Sequence, residues 1–410
     1  MMRERVLVTG LGVVSPLGVG TDSLRDGLRQ GRSGVVRMDD RVDLTGIRSK
    51  VGAPCLDFSP TDFLEKKRAR RMGRASQLAV AAAKLALGDG GLNRRDGARG
   101  AVMMGTGIGA MEAMVNNHLA MLERGASRVS PFLAPVMMPN APAAETSIEV
   151  AVTGPSLGVV TACAAGAHAV GLAWDYLRAG RVDWALAGGA EAVMLPLVFA
   201  AFDRMGALTP NPDPETASRP YDARRDGFVM GEGAGVVLME SESHARRRKA
   251  HALAEVVGLG STCDAFHITA PPERGEGARE AMAQALSSAG ISPDEVDYIN
   301  GHGTATPLND RAETRAIKEL FGPRAYEIPV SSTKSQIGHL LGAAGGVETC
   351  VVALALAEGF VPATTTWGER DPECDLDCVP GRPREEPIRV ALSNSFGFGG
   401  QNACLVLRAV

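Results

Sequence analysis

Four side chains in this sequence have types and settings suited to nucleophilic chemistry: Cys163, His302, Lys334 and His339. Cys163 follows the apolar run Leu157 to Val160 and precedes Ala164-Ala165-Gly166, so a strand is expected to turn into a small-residue helix at the thiol. A helix N-terminus carries partial positive charge and free N–H groups, which favour a thiolate and can hold an oxyanion on an attached thioester. Ala162, Ala164, Ala165 and Gly166 leave room for a bulky acyl group. A lone cysteine is commonly a buried filler, and its reading as a nucleophile depends on polar partners brought in by the fold. His302 stands between two glycines in Asn300-Gly301-His302-Gly303-Thr304-Ala305-Thr306-Pro307, a setting that core packing explains poorly. His339 closes the run Ser331 to Gly338, in which Lys334 sits among small uncharged residues.

The elements that must position these groups read as two halves replaying one script. Val8-Thr9-Gly10-Leu11-Gly12 matches Val256-Val257-Gly258-Leu259-Gly260, and the strand ending at Gly105-Thr106-Gly107 matches Tyr298 to Thr304. Val159 to Cys163 matches Val330 to Lys334, which pairs Lys334 with Cys163, and Ala187-Gly188-Gly189-Ala190 matches Phe398 to Asn402. Two facing helix starts would then bring Cys163, Lys334 and His339 into one cleft. Short β-branched runs alternating with helical segments give an α/β fold, and runs such as Val236 to Met239 fit a sheet covered on both faces. The halves are expected at 1–250 and 251–410, with surface loops at 208–227 and 362–388.

Composition narrows the function classes. A net charge of −4 over 410 residues gives no reason to expect nucleic acid. The most apolar stretch, Trp184 to Phe202, is broken by Gly188-Gly189, Glu191 and Pro196 and does not read as a membrane span. Arg3, Glu4 and Arg5 run directly into Val6-Leu7-Val8, unlike a secretory leader. Seven cysteines without a CxxC pair read as reduced thiols in a cytoplasmic protein, and Cys374 and Cys378 lack partners for a metal. His118, His168, His244, His251 and His267 receive no role, and His168 reads as a helix-face residue.

Thr161-Ala162-Cys163, Gly301-His302-Gly303-Thr304, the run Val330 to Gly346, and Asn394-Ser395-Phe396-Gly397-Phe398-Gly399-Gly400 together resemble a β-ketoacyl-acyl carrier protein synthase of the KAS II type. The likeness extends over essentially the whole chain, with Ser218-Arg219-Pro220, Arg225 to Phe228 and Asp371 to Pro380 also matching. It implies a thiolase fold, two related halves in a five-layered αβαβα core, and a dimer. It implies Cys163 as acyl-accepting nucleophile, His302 and His339 as the pair that stabilises the enolate formed on loss of CO₂, and Lys334 as the lysine orienting them. The backbone N–H groups of Cys163 and Phe398 would form the oxyanion hole, with Phe398 as a gate. Ile108 and Met111 would limit the acyl pocket. Thr304 and Thr306 would meet the phosphopantetheine arm, with Phe396 and Gly399 as further substrate contacts. No metal or redox cofactor is implied, since substrates arrive on the phosphopantetheine of an acyl carrier protein. Lys66, Lys67, Arg68, Arg70, Arg71 and Arg74 would dock that acidic carrier, with Arg128 and Arg204 as further candidates.

Departures from the fatty-acid pattern leave the pathway open. Gly206-Ala207-Leu208-Thr209 stands where Arg-Ala-Leu-Ser is common, and Pro139-Asn140-Ala141-Pro142 puts prolines into a segment that is helical in the family. Asn309 to Thr314 and Phe202-Asp203-Arg204 resemble type II polyketide ketosynthases. Both a specialised polyketide or polyene enzyme and a housekeeping fatty-acid enzyme fit. So do a homodimer and a heterodimer with a chain-length-factor-like subunit. Cys404 lacks a thiolase-like glycine setting, which disfavours a coenzyme A thiolase. The intact Cys163, His302 and His339 disfavour a non-catalytic chain-length partner.

Overall fold

Largely apolar runs become strands with cover on both sides: every residue of Val6–Ser15 and of Gly233–Ser241 is buried. The computed structural model describes residues 4–92 and 99–410, so Arg3 lies outside the described residues. Ten strands frame the site. They are β1 (Val6–Ser15), β2 (Gly100–Gly105), β3 (Ser156–Val159), β4 (Trp184–Glu191), β5 (Gly233–Ser241), β6 (Ala254–Cys263), β7 (Tyr298–Asn300), β8 (Val330–Ser331), β9 (Val390–Gly397) and β10 (Gln401–Arg408). Their order is β8-β7-β9-β10-β6-β1-β5-β4-β2-β3, which reads the same from either end once β1 to β5 are matched with β6 to β10. Pair directions match too: β2 runs parallel to β3 and β4, as β7 does to β8 and β9. The halves join where Val6, Leu7 and Val8 pair antiparallel with β6.

The helices that matter are α1 (Arg74–Asp89), α2 (Met111–Arg124), α3 (Ala141–Val150), α4 (Ala165–Arg178), α5 (Glu276–Ala289), α6 (Pro307–Phe321) and α7 (Ala344–Glu358). α1 covers β1, β4 and β5 from outside with α3 beside it, while α5 covers β6 and β10 with α6 beside it. Between the halves lie α4, against β2, β4, β6 and β10, and α7, against β4, β5 and β9. This gives the five layers of a thiolase fold. A helix with sheets on both sides is apolar all round, and α7 is buried without interruption from Ala344 to Leu356. The span Leu341–Glu358 is apolar enough to cross a membrane by composition, but 89% of it is buried inside the protein. Small residues let the middle layer close. A Cβ on Gly166 would lie 2.6 Å from Gly346 N, and one on Gly345 would lie 2.4 Å from Ala167 N.

Two matches drawn from the sequence are corrected. α4 and α7 each follow a 3-10 turn, Ala162–Ala164 and Leu341–Ala343, led by the left-handed residues Ala162 (φ 48°) and Leu341 (φ 47°). The counterpart of Cys163 is therefore Gly342, not Lys334, which opens a separate one-turn helix, Lys334–Ile337. The second half simply has a longer path from strand to helix. Likewise β4 matches β9, and the hairpin turn Phe398-Gly399-Gly400 corresponds to the excursion 192–232, not to Gly188-Gly189. The prolines at 139 and 142 do not interrupt a helix, because Pro142 sits in the first turn of α3, where its missing N–H is harmless.

Candidate active site

The turn out of β3 delivers Cys163. Ala162 adopts the left-handed conformation that costs a non-glycine residue roughly 1–2 kcal/mol, and this places Cys163 at the start of the path into α4. The thiol is buried, with Sγ 3.1 Å from His339 Nε2 and the backbone N–H of Phe398 directed at it. Burial pushes Cys163 up to about 12, against the opposing pull of the Lys334 charge and the Phe398 N–H. Burial thus opposes the helix-favoured thiolate expected from the sequence. Burial, and then the Lys334 charge, hold His302 and His339 well below the usual imidazole range, so both are neutral.

The two imidazoles face each other edge to face, 5.3 Å between ring centroids, with Phe396 against His302 and Phe228 against His339. Glu313 on α6 fixes the His302 turn by accepting the N–H groups of His302 (2.7 Å) and Gly303 (2.8 Å), the Tyr221 hydroxyl (3.0 Å) and the Asn394 amide (3.1 Å). The first half has a counterpart in Glu191. It accepts from Thr106 Oγ1 (3.0 Å) and from the N–H groups of Gly107 (2.6 Å), Ile108 (3.2 Å), Gly109 (3.3 Å) and Gly342 (3.1 Å). Burial raises the Glu191 pKa while these donors pull it down. Each half therefore anchors the turn after its matching strand, β2 or β7, on a buried carboxylate. Sequence reasoning singled out neither residue; the available signal was an acidic residue closing the otherwise uncharged run Trp184–Glu191.

Lys334 donates to Glu348 of α7, and both side chains are 1% exposed. The Lys334 charge pulls down the pKa values of both imidazoles and of the thiol, and among the described residues its ammonium group bonds to Glu348 and to none of these three. Glu348 Oε2, Asn300 Oδ1, Ser393 Oγ and Asn394 Oδ1 are buried without hydrogen-bond partners, and Asn300 and Ser393 are register partners on β7 and β9. No cluster of three His, Cys, Asp or Glu residues occurs among the described residues.

A cavity of about 550 Å³ opens onto Cys163, His302 and His339. Its apolar side includes Ile108, Phe202, Phe228 and Leu341, and its polar side Thr304, Thr306 and Asn309. Cys163 itself belongs to an apolar cluster with Val193, Val198 and Phe199, against which Ile108 and Met111 pack. An acyl chain on Sγ would therefore lie among hydrocarbon. The Thr304 and Thr306 hydroxyls are 2.9 Å apart. Phe398 lines the cavity 6.3 Å from the Phe202 ring, in a hairpin turn where Gly399 (φ 85°) and Gly400 (φ 76°) take left-handed conformations.

The six cations near the start of α1 do not form one surface. Lys66, Lys67, Arg70 and Arg71 are exposed, with Arg71 over the Phe132 ring. Arg68 is held by Glu145 (2.9 Å) and Glu149 (3.0 Å) of α3. Arg74 turns inward onto both oxygens of Glu232, at 2.6 and 2.8 Å. Arg128 and Arg204 are exposed.

Comparison with known proteins agrees with this geometry. The models of the β-ketoacyl synthase N-terminal and C-terminal domains match residues 3–245 and 253–367. A 3-oxoacyl-[acyl-carrier-protein] synthase 2 of Synechocystis sp. is 45% identical over 409 residues, covering 99% of this chain and 98% of the relative. One from Staphylococcus aureus is 42% identical over 407 residues, with 99% and 98% covered. Among solved structures, the ishigamide ketosynthase/chain length factor superposes with a TM-score of 0.94 at 37% identity, covering 100% of both chains. A type II polyketide ketosynthase bound to a hexaketide, in complex with its acyl-carrier protein, gives 0.93 at 33% identity, again covering 100% of both. With both halves matched by one family and full-length relatives well above 30% identity, this chain belongs to the β-ketoacyl synthases.

Proposed function

We propose that the chain elongates carrier-bound acyl groups in a type II system of polyketide, polyene or fatty-acid kind, with Cys163 as the acyl acceptor. The observation that carries this reading is the buried thiol 3.1 Å from a neutral imidazole, with a second imidazole alongside. In the first step the thiol proton passes to His339 Nε2 and Sγ attacks the carrier thioester. The oxyanion sits at the N–H groups of Cys163 and Phe398, and the carrier thiol leaves with the proton. In the second, the malonyl thioester loses CO₂, and the electron pair of the broken bond forms an enolate whose oxygen His302 and His339 hold. The enolate carbon attacks the acyl carbon and Sγ leaves as a thiolate, which takes a proton from solvent to restore the resting thiol.

Thr304 and Thr306 would meet the pantetheine arm, and the exposed Lys66, Lys67, Arg70 and Arg71 would meet the acidic carrier. The edge strand β3 and exposed Leu119, Leu122, Phe132 and Ile148 form the face that a second copy or a chain-length-factor-like subunit would cover. Free cysteines throughout fit a reducing, cytoplasmic setting.

Intact-mass spectrometry after mixing with a panel of acyl-carrier thioesters, then malonyl-carrier protein, tests the reading. An acyl adduct absent from Cys163→Ala, followed by a β-ketoacyl product, is expected. No adduct from any donor, with or without a partner subunit, would overturn it.

A further inference from the structure

The two helix starts facing each other across the middle layer give an internal control. Both are led by a left-handed residue and a 3-10 turn, but only one carries a nucleophile. Around that one a polar chain closes: His168 Nδ1 lies 2.8 Å from Thr161 Oγ1, and its Nε2 lies 2.9 Å from Ser261 Oγ on β6. Ser261 is in turn the register partner of Ala403 on β10. In the copy without a nucleophile, the residues matching Thr161 and His168 are Leu340 and Val347, both fully buried. The polar chain is a property of the nucleophile's turn, not of the repeated fold.

It also reaches the gate. Ala403 lies on the leg that follows the hairpin turn Phe398-Gly399-Gly400, while on the other leg a Cβ on Gly397 would lie 2.9 Å from Thr161 O and 3.2 Å from Cys163 N. Both legs of the hairpin thus rest on the segment around Thr161 to Cys163, one through His168 and one through bare glycine contact. His168 is not among the residues lining the cavity, so it acts through its neighbours.

We propose that His168 is a positioning residue that holds the Cys163 turn and the Phe398 hairpin in register for acylation, an inference resting on Cys163 as the acyl acceptor. Acylation of the full-length chain is followed by intact mass over a range of carrier thioester concentrations in His168→Val, His168→Asn, Thr161→Val and the double Val variant. His168→Val installs the residue type of the inert copy. It should acylate about tenfold more slowly at saturation with an unchanged carrier KM, the scale of one hydrogen bond. His168→Asn places an amide where Nδ1 stands and should recover at least half of the loss, and the double variant should be no slower than either single one. Parent-like rates in His168→Val, a loss confined to KM, or no recovery in His168→Asn would overturn the proposal. If His168→Val does not fold, Thr161→Val decides alone: a tenfold loss supports the proposal and a parent rate defeats it. If the parent forms no adduct, the acyl-acceptor reading has failed instead. Iodoacetamide alkylation of Cys163 then decides, with slower alkylation in Thr161→Val supporting the positioning role and an equal rate refuting it.

Discussion

Replacing Glu313 with Gln removes an acceptor that four donors share. The carboxylate takes the N–H groups of His302 and Gly303, the Tyr221 hydroxyl and the Asn394 amide. Glutamine offers one oxygen and one NH₂, so one pair of donors must face another donor whichever way the amide lies. The less costly orientation keeps oxygen toward His302 and Asn394 and turns NH₂ toward Gly303 and Tyr221. The tyrosine hydroxyl can rotate to accept, which leaves the Gly303 N–H buried without a partner. One orphaned donor costs about 1–3 kcal/mol, and lost charge assistance about 1 kcal/mol on each retained bond, for a total near about 4 kcal/mol. At about 2.1 cal/mol/K of unfolding entropy per residue, that lowers the melting midpoint of this 410-residue chain by about 5 °C. Because the orphan adjoins His302, condensation should fall about 100-fold while acylation, which uses His339, stays within about threefold. Calorimetry and separate assays of the two half-reactions give the answer. A midpoint within about 1 °C of the parent with undiminished condensation would refute the accounting.

Since burial pushes the Cys163 thiol up to about 12 and holds His339 neutral, iodoacetamide labelling of Cys163, followed on its own peptide, should rise about tenfold per pH unit between about pH 6 and 9. A plateau near neutrality would mean a thiolate–imidazolium pair instead. Charge reversal at Lys66, Lys67, Arg70 and Arg71 should raise the carrier KM, least at high salt, in steady-state assays. Arg74→Ala should lower the melting midpoint without changing that salt dependence, because its partner is the buried Glu232; equal behaviour of the two variants would contradict this division. Gly345→Ala should give insoluble protein, since its Cβ meets Ala167 N at 2.4 Å, whereas Gly88→Ala, with no atom within 4 Å, should express like the parent.

The sequence made Cys163 and His302 visible because each lies where an apolar strand gives way to glycine or alanine, and such endings are local; His339 showed through the small-residue run Ser331 to Gly338 that it closes. The duplication was visible for the same reason. Matching Lys334 to Cys163 failed because strand endings were aligned while the intervening path, 332–340, differs in length between the halves. Glu191 and Glu313 received no site role because the backbone N–H groups they grip come from distant segments; Glu191 shows locally only as the acid that closes an uncharged run. Arg68 and Arg74 sat in a basic run that says nothing about which way each side chain faces. The protonation of Cys163 depends on how deeply the fold buries it, and no window of neighbouring residues contains that depth.

The middle layer also governs how the molecule comes apart. α4 belongs to the first half by chain and α7 to the second, and each belongs to both by contact. Pulling the halves apart would uncover an apolar helix on each, so unfolding should proceed as a single event, and a chain nicked in the linker 248–253 should remain one particle. The same sharing ties the inheritance of the two segments together. The thiol comes from one and the imidazoles from the other, so a change in either is tested through the surface they jointly own.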